Sequence, residues 1–178
     1  MTIWFTSDFH LNHTAILTHQ SLRGKLFGID ILAMDAAIID GINACVDRND
    51  ELWILGDFCW QAAKAGHYRH RINCRQIHVV QGNHDANSLR KYVSTMALME
   101  YRKFGDIKIH MSHYPLASWR AREHGSIHLY GHSHGTMEKA LETMWPGRRS
   151  MDVGMDEAYR HLSEWRPFSL EEIKEILL

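Results

Sequence analysis

Five short apolar runs along this chain each end, on the carboxyl side, in a cluster of Gly, Asp, Asn, Ser and His. Ile3–Thr6 leads into Ser-Asp-Phe-His, Glu51–Leu55 into Gly56-Asp57, and Gln76–Val80 into Gln-Gly-Asn-His-Asp. Ile107–Met111 leads into Ser-His-Tyr-Pro, and Ser126–Tyr130 into Gly-His-Ser-His. Short runs rich in β-branched and aromatic residues, stopped by Gly or polar residues, have the pattern of buried strands. In α/β sheets, ligands bind outside the carboxyl ends of the strands. The pattern therefore predicts a fold that gathers five polar clusters along one sheet edge.

Helical patterns lie between the runs. Asp30 is positioned to cap a helix reaching about Val46, with Ile31, Met34, Ile38, Ile39 and Ile42 on one side. A second helix is expected over Ala62–Ile72, and a short one capped by Asn87 through Tyr92. Ser169 with Glu172 forms a capping box ahead of Ile173, Ile176 and Leu177. Strand and helix alternate, so the expected class is α/β with both sheet faces covered. The 178 residues, 45% apolar and 23% charged, suffice for one domain with a proper core and exclude disorder.

Charge narrows the partners. Twenty Lys and Arg against 21 Asp and Glu give a net charge of −1. That is a poor footprint for non-specific binding of long nucleic acid, although a short oligonucleotide substrate stays within reach. Cys45, Cys59 and Cys74 form no CxxC pair, which argues for reduced thiols rather than a disulfide framework or structural zinc. The amino terminus lacks a basic signal-type segment, and no apolar run approaches the roughly 18 residues of a membrane helix. A cytoplasmic protein with no membrane partner is the expectation.

The polar clusters carry the chemistry. They are Asp8-x-His10, Gly56-Asp57, Gly82-Asn83-His84-Asp85, His113, and Gly131-His132-Ser133-His134. Carboxylates, imidazoles and one amide oxygen, with no thiolate, suit divalent Mn, Fe, Zn, Co or Ni. Alternate residues of an extended segment point the same way, so Asp8 with His10, and His132 with His134, would each present two ligands. Seven such ligands exceed the needs of one ion and match two ions sharing a carboxylate. Two cations about 3.5–4 Å apart can clamp both oxygens of a displacement at phosphorus and lower the pKa of a bound water.

The ordered set D-x-H, G-D, G-N-H-[DE], H and G-H-x-H, running from Asp8 to His134, resembles the calcineurin-like metallophosphoesterase superfamily. Ser-Asp-Phe-His-Leu-Asn-His, Ser-His-Tyr-Pro-Leu, Gly-His-Ser-His-Gly and Asp152-Val-Gly-Met-Asp156 are most similar to its small bacterial and phage members. The resemblance implies a four-layer α/β/β/α sandwich of two mixed sheets flanked by helices. It implies two divalent transition-metal ions, Mn first, with Fe, Zn, Ni or Co as alternatives. Asp8, His10 and His134 would hold one ion, Asn83, His113 and His132 the other, and Asp57 would bridge them. The nucleophile would be a metal-bridging hydroxide, and His84 would bind the phosphate and protonate the leaving oxygen.

The chain departs from the protein-phosphatase branch, whose second block reads G-D-x-V-D-R-G. Here it reads Gly56-Asp57-Phe58-Cys59-Trp60, without the second Asp or the Arg. What orients His84 is thereby open, with Asp85 and Asp156 as candidates. His13, Asp85, Arg120, Arg122 and Asp156 are candidate substrate contacts. Arg148-Arg149 reads as a loop charge pair, His110 and His128 as strand packing, and Trp4, Trp53 and Trp60 as core. His67, His70, His78, His124 and His161 carry no motif and read as solvated. The expected activity is hydrolysis of phosphate esters, phosphodiesters first, nucleotide-type or other small substrates. Phosphomonoester or phosphoprotein hydrolysis comes second. A non-catalytic scaffold of the same fold comes third, since it would have lost a ligand or His84.

Overall fold

The computed structural model describes residues 1–178. The apolar runs form strands. A five-stranded sheet has the order β4-β3-β2-β1-β9, made of Ile3–Thr6 (β1), Glu51–Ile54 (β2), Gln76–Val80 (β3), Thr95–Ala97 (β4) and Phe168–Ser169 (β9). Its first four strands in chain order run parallel and β9 runs antiparallel to β1. A four-stranded sheet has the order β5-β6-β7-β8, made of Met99–Phe104 (β5), Ile107–Ser112 (β6), Ile127–Tyr130 (β7) and Ser150–Asp152 (β8). Only the β5–β6 pair is antiparallel.

Alternation within the strands explains how the sheets stack. Leu52, Ile54, Ile77 and Val79 face one core, shared with Met34, Ile38, Ile39 and Ile42 of helix α3 (Ile31–Cys45). Trp53, Leu55, Phe5 and Val80 face a second core, shared with Ile109, Met111, Ile127 and Leu129 of the other sheet. A strand buried on both faces reads as a continuous apolar run, and β2 and β3 do so because each face packs against a different layer. Asp30 caps α3 by accepting the Ala33 N–H at 3.0 Å. Helices α1 (Ile16–His19), α2 (Ser21–Phe27) and α4 (Ala65–Arg71) complete the chain's other short helices before β3. On the outer face of the second sheet lie the 113–126 segment, through Trp119 against His128, and α5 (Glu138–Met144), through Glu138 against Tyr130. Helices α6 (Met155–Leu162) and α7 (Leu170–Leu177) follow, α7 starting from the expected Ser169–Glu172 capping box.

Four local expectations change. Ala62–Lys64 is a 3-10 turn, and only Ala65–Arg71 beyond it is α-helical. Asn87 lies inside a 3-10 turn, Asn87–Lys91, and caps nothing; Ala86 precedes it in extended conformation. Trp60 is not core: it is 46% exposed, because the chain stays buried through Phe58 and Cys59 and bends outward at Trp60. Trp53 is buried as expected, and His78 stacks on it at 4.5 Å instead of standing free in solvent.

Candidate active site

The strand register sets the starting positions. β1 and β2 pair as Ile3–Glu51 through Thr6–Ile54, and the pairing continues past the strand ends. Asp8 N–H donates to Gly56 O and His10 N–H to Asp57 O, each at 2.9 Å. Asp8, His10, Asp57, His132 and His134 all have left-handed backbone, with φ of 58°, 51°, 56°, 66° and 49°. Non-glycine residues pay for that conformation and hold it only where the surroundings enforce it, most often at functional sites. Here it turns each side chain inward at the strand end.

Two glycines make room. Gly56 has φ +104°, and a Cβ there would meet His113 Nδ1 at 2.4 Å. A Cβ on Gly131 would lie 2.0 Å from Ser7 Oγ and 2.4 Å from Asp8 Oδ2. The close approach joins the sheets where His132 N–H donates to Asp8 Oδ2 at 2.8 Å, while Gly131 N–H donates to His113 O at 3.0 Å and ties the ends of β6 and β7 within the second sheet.

The donor atoms then fall into three groups, Asp8–His10–His134, His10–Asp57–His84 and Asp57–His113–His132, each with its atoms within 4.8 Å of one another. Asn83 joins the last group, its Oδ1 lying 3.0 Å from His113 Nε2. Asp57 Oδ2 lies 3.6 Å from His10 Nε2 and 3.5 Å from His113 Nε2, between the groups. His84 N–H donates to the other oxygen of Asp57 at 2.9 Å, and the His84 ring stands 5.5 Å from that of His10.

The residues fit a divalent cation. His113 Nδ1 pairs with the Leu55 carbonyl at 2.7 Å, so that nitrogen carries a proton and Nε2 is the one that faces the oxygens of Asn83 and Asp57, where a cation could replace its proton. His134 Nδ1 likewise pairs with Asp156 Oδ2 at 2.7 Å, leaving Nε2 to face inward. Asp8 Oδ1 and His10 Nε2 are buried without any hydrogen-bond partner. Acceptors converging on acceptors in a buried place call for a positive charge among them.

Protonation follows the same crowding. Burial, with the Asp152 and Asp57 carboxylates adding to it, raises Asp8 to about 6 against the pull of His134 and His113. Burial holds His10 down to about 2, and the Arg23 charge works with it. Burial also opposes charge on His113, but Asp57 and Asp8 prevail and raise it to about 9. Asp57 goes the other way, down to about 2, because His113, His10 and the His84 N–H outweigh its burial.

Residues 1–147 match the calcineurin-like phosphoesterase superfamily domain. The chain belongs to the calcineurin-like phosphoesterase superfamily. It is similar to the gene 66 protein of Mycobacterium phage L5, 28% identical over 185 residues and covering 86% of each chain. The gene 66 protein of Mycobacterium phage D29 is 24% identical over 186 residues, covering 86% of this chain and 87% of that one. A solved structure of a protein of unknown function from Aquifex aeolicus superposes over 98% of each chain with a TM-score of 0.76 at 20% identity, a likeness of fold. The superfamily's two mixed sheets flanked by helices are the ones described above. The superfamily and the Asp/His groups together point to divalent-metal binding. No helix is long and apolar enough to cross a membrane.

The other sequence candidates separate. Asp85 accepts the N–H groups of Asp57, Phe58 and Gly82, each at 2.9 Å, and so shapes the loop that carries Asp57. Asp156 receives His134 and the Arg23 guanidinium, so neither carboxylate contacts the His84 ring. His13 does reach the site: its ring is 5.9 Å from His84 and stacks on Trp60 at 3.9 Å. Arg120 lies over Tyr101 and Arg122 over Trp119, both in the segment tied to Ser126 at the amino end of β7. They do not join the cluster. Sequence reasoning missed Arg23, fully buried in α2, which donates to Asp156 and to the carbonyls of Asp8 and Phe9. It also missed the role of Asp152, which holds Ser133 Oγ and Gly135 N–H and so braces the Gly131–His134 loop.

Proposed function

We propose that the chain is a dinuclear-metal-dependent hydrolase of phosphate esters, with phosphodiesters of nucleotide type or other small diesters as its first substrates. The observation that carries this reading is Asp57 Oδ2 standing between His10 and His113, with Asp8 Oδ1 and His10 Nε2 unpartnered on one side and Asn83 Oδ1 against His113 Nε2 on the other. Asp8, His10 and His134 would hold one ion and Asn83, His113 and His132 the other, with Asp57 common to both. Bound there, two divalent ions, Mn first and Fe, Zn, Ni or Co as alternatives, would polarise the phosphoryl oxygens and acidify a water.

The chain's own residues supply the rest. The acidified water gives its proton to solvent and attacks phosphorus as hydroxide; a P–O bond forms and the ester P–O bond opposite it breaks. The leaving oxygen takes its proton from His84, whose backbone is fixed to Asp57. His13 and Trp60 stack beside His84 and offer an aromatic face to an aryl or nucleobase substituent. The diester preference rests on charge. A phosphomonoester brings a second negative charge, and the arginine beside the cluster, Arg23, is buried and already bound to Asp156. Phosphomonoester or phosphoprotein hydrolysis is the alternative.

The test compares kcat/KM on an aryl phosphodiester and an aryl phosphomonoester with Mn²⁺ present. A higher value for the diester is expected; a strong monoester preference would overturn the substrate assignment. Asp57→Asn is expected to lose metal and rate together. His84→Ala is expected to keep metal and lower kcat by about 10²–10⁴-fold. Full metal content and rate in Asp57→Asn would refute the bridging role.

A further inference from the structure

The arginines that stay away from the Asp57 cluster gather elsewhere. Arg122, Arg148 and Arg149 line one cavity of about 290 Å³ together with Trp119, Glu123 and Ser126. Ser126 precedes β7, so about 13 Å of extended chain, four steps of ~3.3 Å, separates this cavity from the carboxyl end of that strand. The cavity opens at the amino edge of the second sheet, and the Asp57 cluster sits at the carboxyl edge.

Its charge is out of balance. The one carboxylate on the cavity wall is Glu123, whose side chain is 86% exposed and lies 3.8 Å from Arg122 Nε. Arg148 is 8% exposed and forms no ion pair. Its Nε donates to Ser150 Oγ and its Nη2 to Leu116 O, while Nη1 has no partner at all. Arg122 and Arg148 both lie 5.4 Å from the centre of the Trp119 ring, and Arg148 lies 5.7 Å from that of Trp145. The ring faces relieve part of each positive charge. They also hold two like charges near one another, and a buried guanidinium without an ion pair is unfavourable. Burial, with the Arg122 charge adding to it, pushes Arg148 below the ordinary guanidinium range against the pull of Tyr130, Glu138 and Glu142. An anion beside Arg122 and Arg149 in the cavity would offset the excess positive charge.

We propose that this cavity is a phosphate-binding site, separate from the Asp57 cluster. The guanidinium fork matches phosphate oxygens in pairs, which favours phosphate over a simple halide. The volume admits a phosphate group. Two sources share that chemistry: free inorganic phosphate, and the terminal phosphate of a nucleotide. The site stands on the arginine geometry and does not depend on hydrolysis at the cluster.

Calorimetric titration of the full-length, metal-loaded chain with inorganic phosphate, thymidine 5′-monophosphate and thymidine tests it. Arg149 is exposed and Arg122 partly so, hence Arg122→Ala/Arg149→Ala is expected to keep its fold, judged by circular dichroism and metal content. That variant is expected to weaken one class of phosphate binding at least tenfold. Asp57→Asn is expected to leave the same class intact, since it lies away from the cluster. Tighter binding of the monophosphate than of phosphate, lost in the double variant, identifies a nucleotide terminus as the ligand; equal binding identifies the free ion. Unchanged phosphate binding in the double variant overturns the proposal. So does loss of all phosphate binding in Asp57→Asn, or thymidine binding as tightly as its monophosphate.

Discussion

Arg23 and Asp156 are both fully buried, and the guanidinium meets the carboxylate through Nε at 3.1 and 3.0 Å and through Nη2 at 2.7 Å. The pair is more than a salt bridge, because each partner continues into the site. Arg23 also binds the carbonyls of Phe9 and Asp8, and Asp156 also holds His134 Nδ1. One unit thereby fixes the backbone of the Asp8–His10 turn and the tautomer of His134. Taking one member away strands the other charge in the interior, at a cost of about 3–5 kcal/mol. Asp156→Ala is therefore expected to lower the urea midpoint steeply and to loosen metal binding as His134 loses its orientation. Arg23→Met/Asp156→Leu removes both charges and is expected to recover much of the stability without recovering the metal affinity. Equilibrium urea unfolding and metal titration of both variants separate the two effects. A double variant as unstable as Asp156→Ala would show that the loss comes from packing and not from the stranded charge.

At the scale of elements, the site is a set of loops held in uncommon backbone by strands that end in register. Gly131 is where the second sheet touches the first, and no side chain fits between it and the Ser7–Asp8 turn. Gly131→Ala is expected to push the Gly131–His134 loop away from Asp8, breaking the His132 N–H bond to Asp8 Oδ2. Metal content is expected to fall while far-UV circular dichroism stays native, since β7 itself ends at Tyr130. A variant with full metal content would mean that the loop has slack the packing does not suggest. The same geometry explains what could be read from the chain alone. β-branched runs that stop at Gly or Asp announce the strands and their carboxyl ends, so the gathering of Asp8, Asp57, Asn83, His113, His132 and His134 was legible. Boundaries drifted where local signals are weak: Ala62–Lys64 tightened into a 3-10 turn, and Asn87 looked like a cap without serving as one. Arg23 was illegible because Ser-Leu-Arg-Gly-Lys-Leu-Phe has no apolar period to mark its buried side. Trp60 was misread because burial of an aromatic depends on where the loop turns, and composition does not carry that. The meeting of Arg122 with Arg148 is not legible, because Arg148 comes to Trp119 from a distant stretch of chain.

For the molecule as a whole, metal binding and folding are one equilibrium, because the donor atoms come from both sheets and converge only in the native state. A divalent ion held there, tested with Mn²⁺ at about 100 times its Kd, is expected to add about 2.7 kcal/mol, which for a chain of this length corresponds to roughly 5–11 °C in Tm. The size of that gain depends on pH, and its direction follows from His113. Without metal its folded pKa stands at about 9, above the ordinary 6.5. The native state then holds more protons than the unfolded state between those values, so this group's contribution is full below 6.5 and is lost as pH rises toward 9. His10 and His13, lowered to about 2 and about 4, act below that window and do not offset it. If His113 binds the ion as proposed, it is neutral in the metal-loaded form, which therefore does not share that loss between about pH 6.5 and 9. The gap between metal-loaded and chelator-treated protein widens accordingly. Thermal unfolding with Mn²⁺ and with chelator, at about pH 6.5 and about pH 8.5, is expected to show the larger Tm difference at the higher pH. His113→Asn is expected to reduce both the metal effect and its pH dependence. A Tm difference that shrinks toward alkaline pH in the unaltered chain would mean that the His113 proton is not what the metal displaces, and that its ring nitrogen is not a donor to the ion.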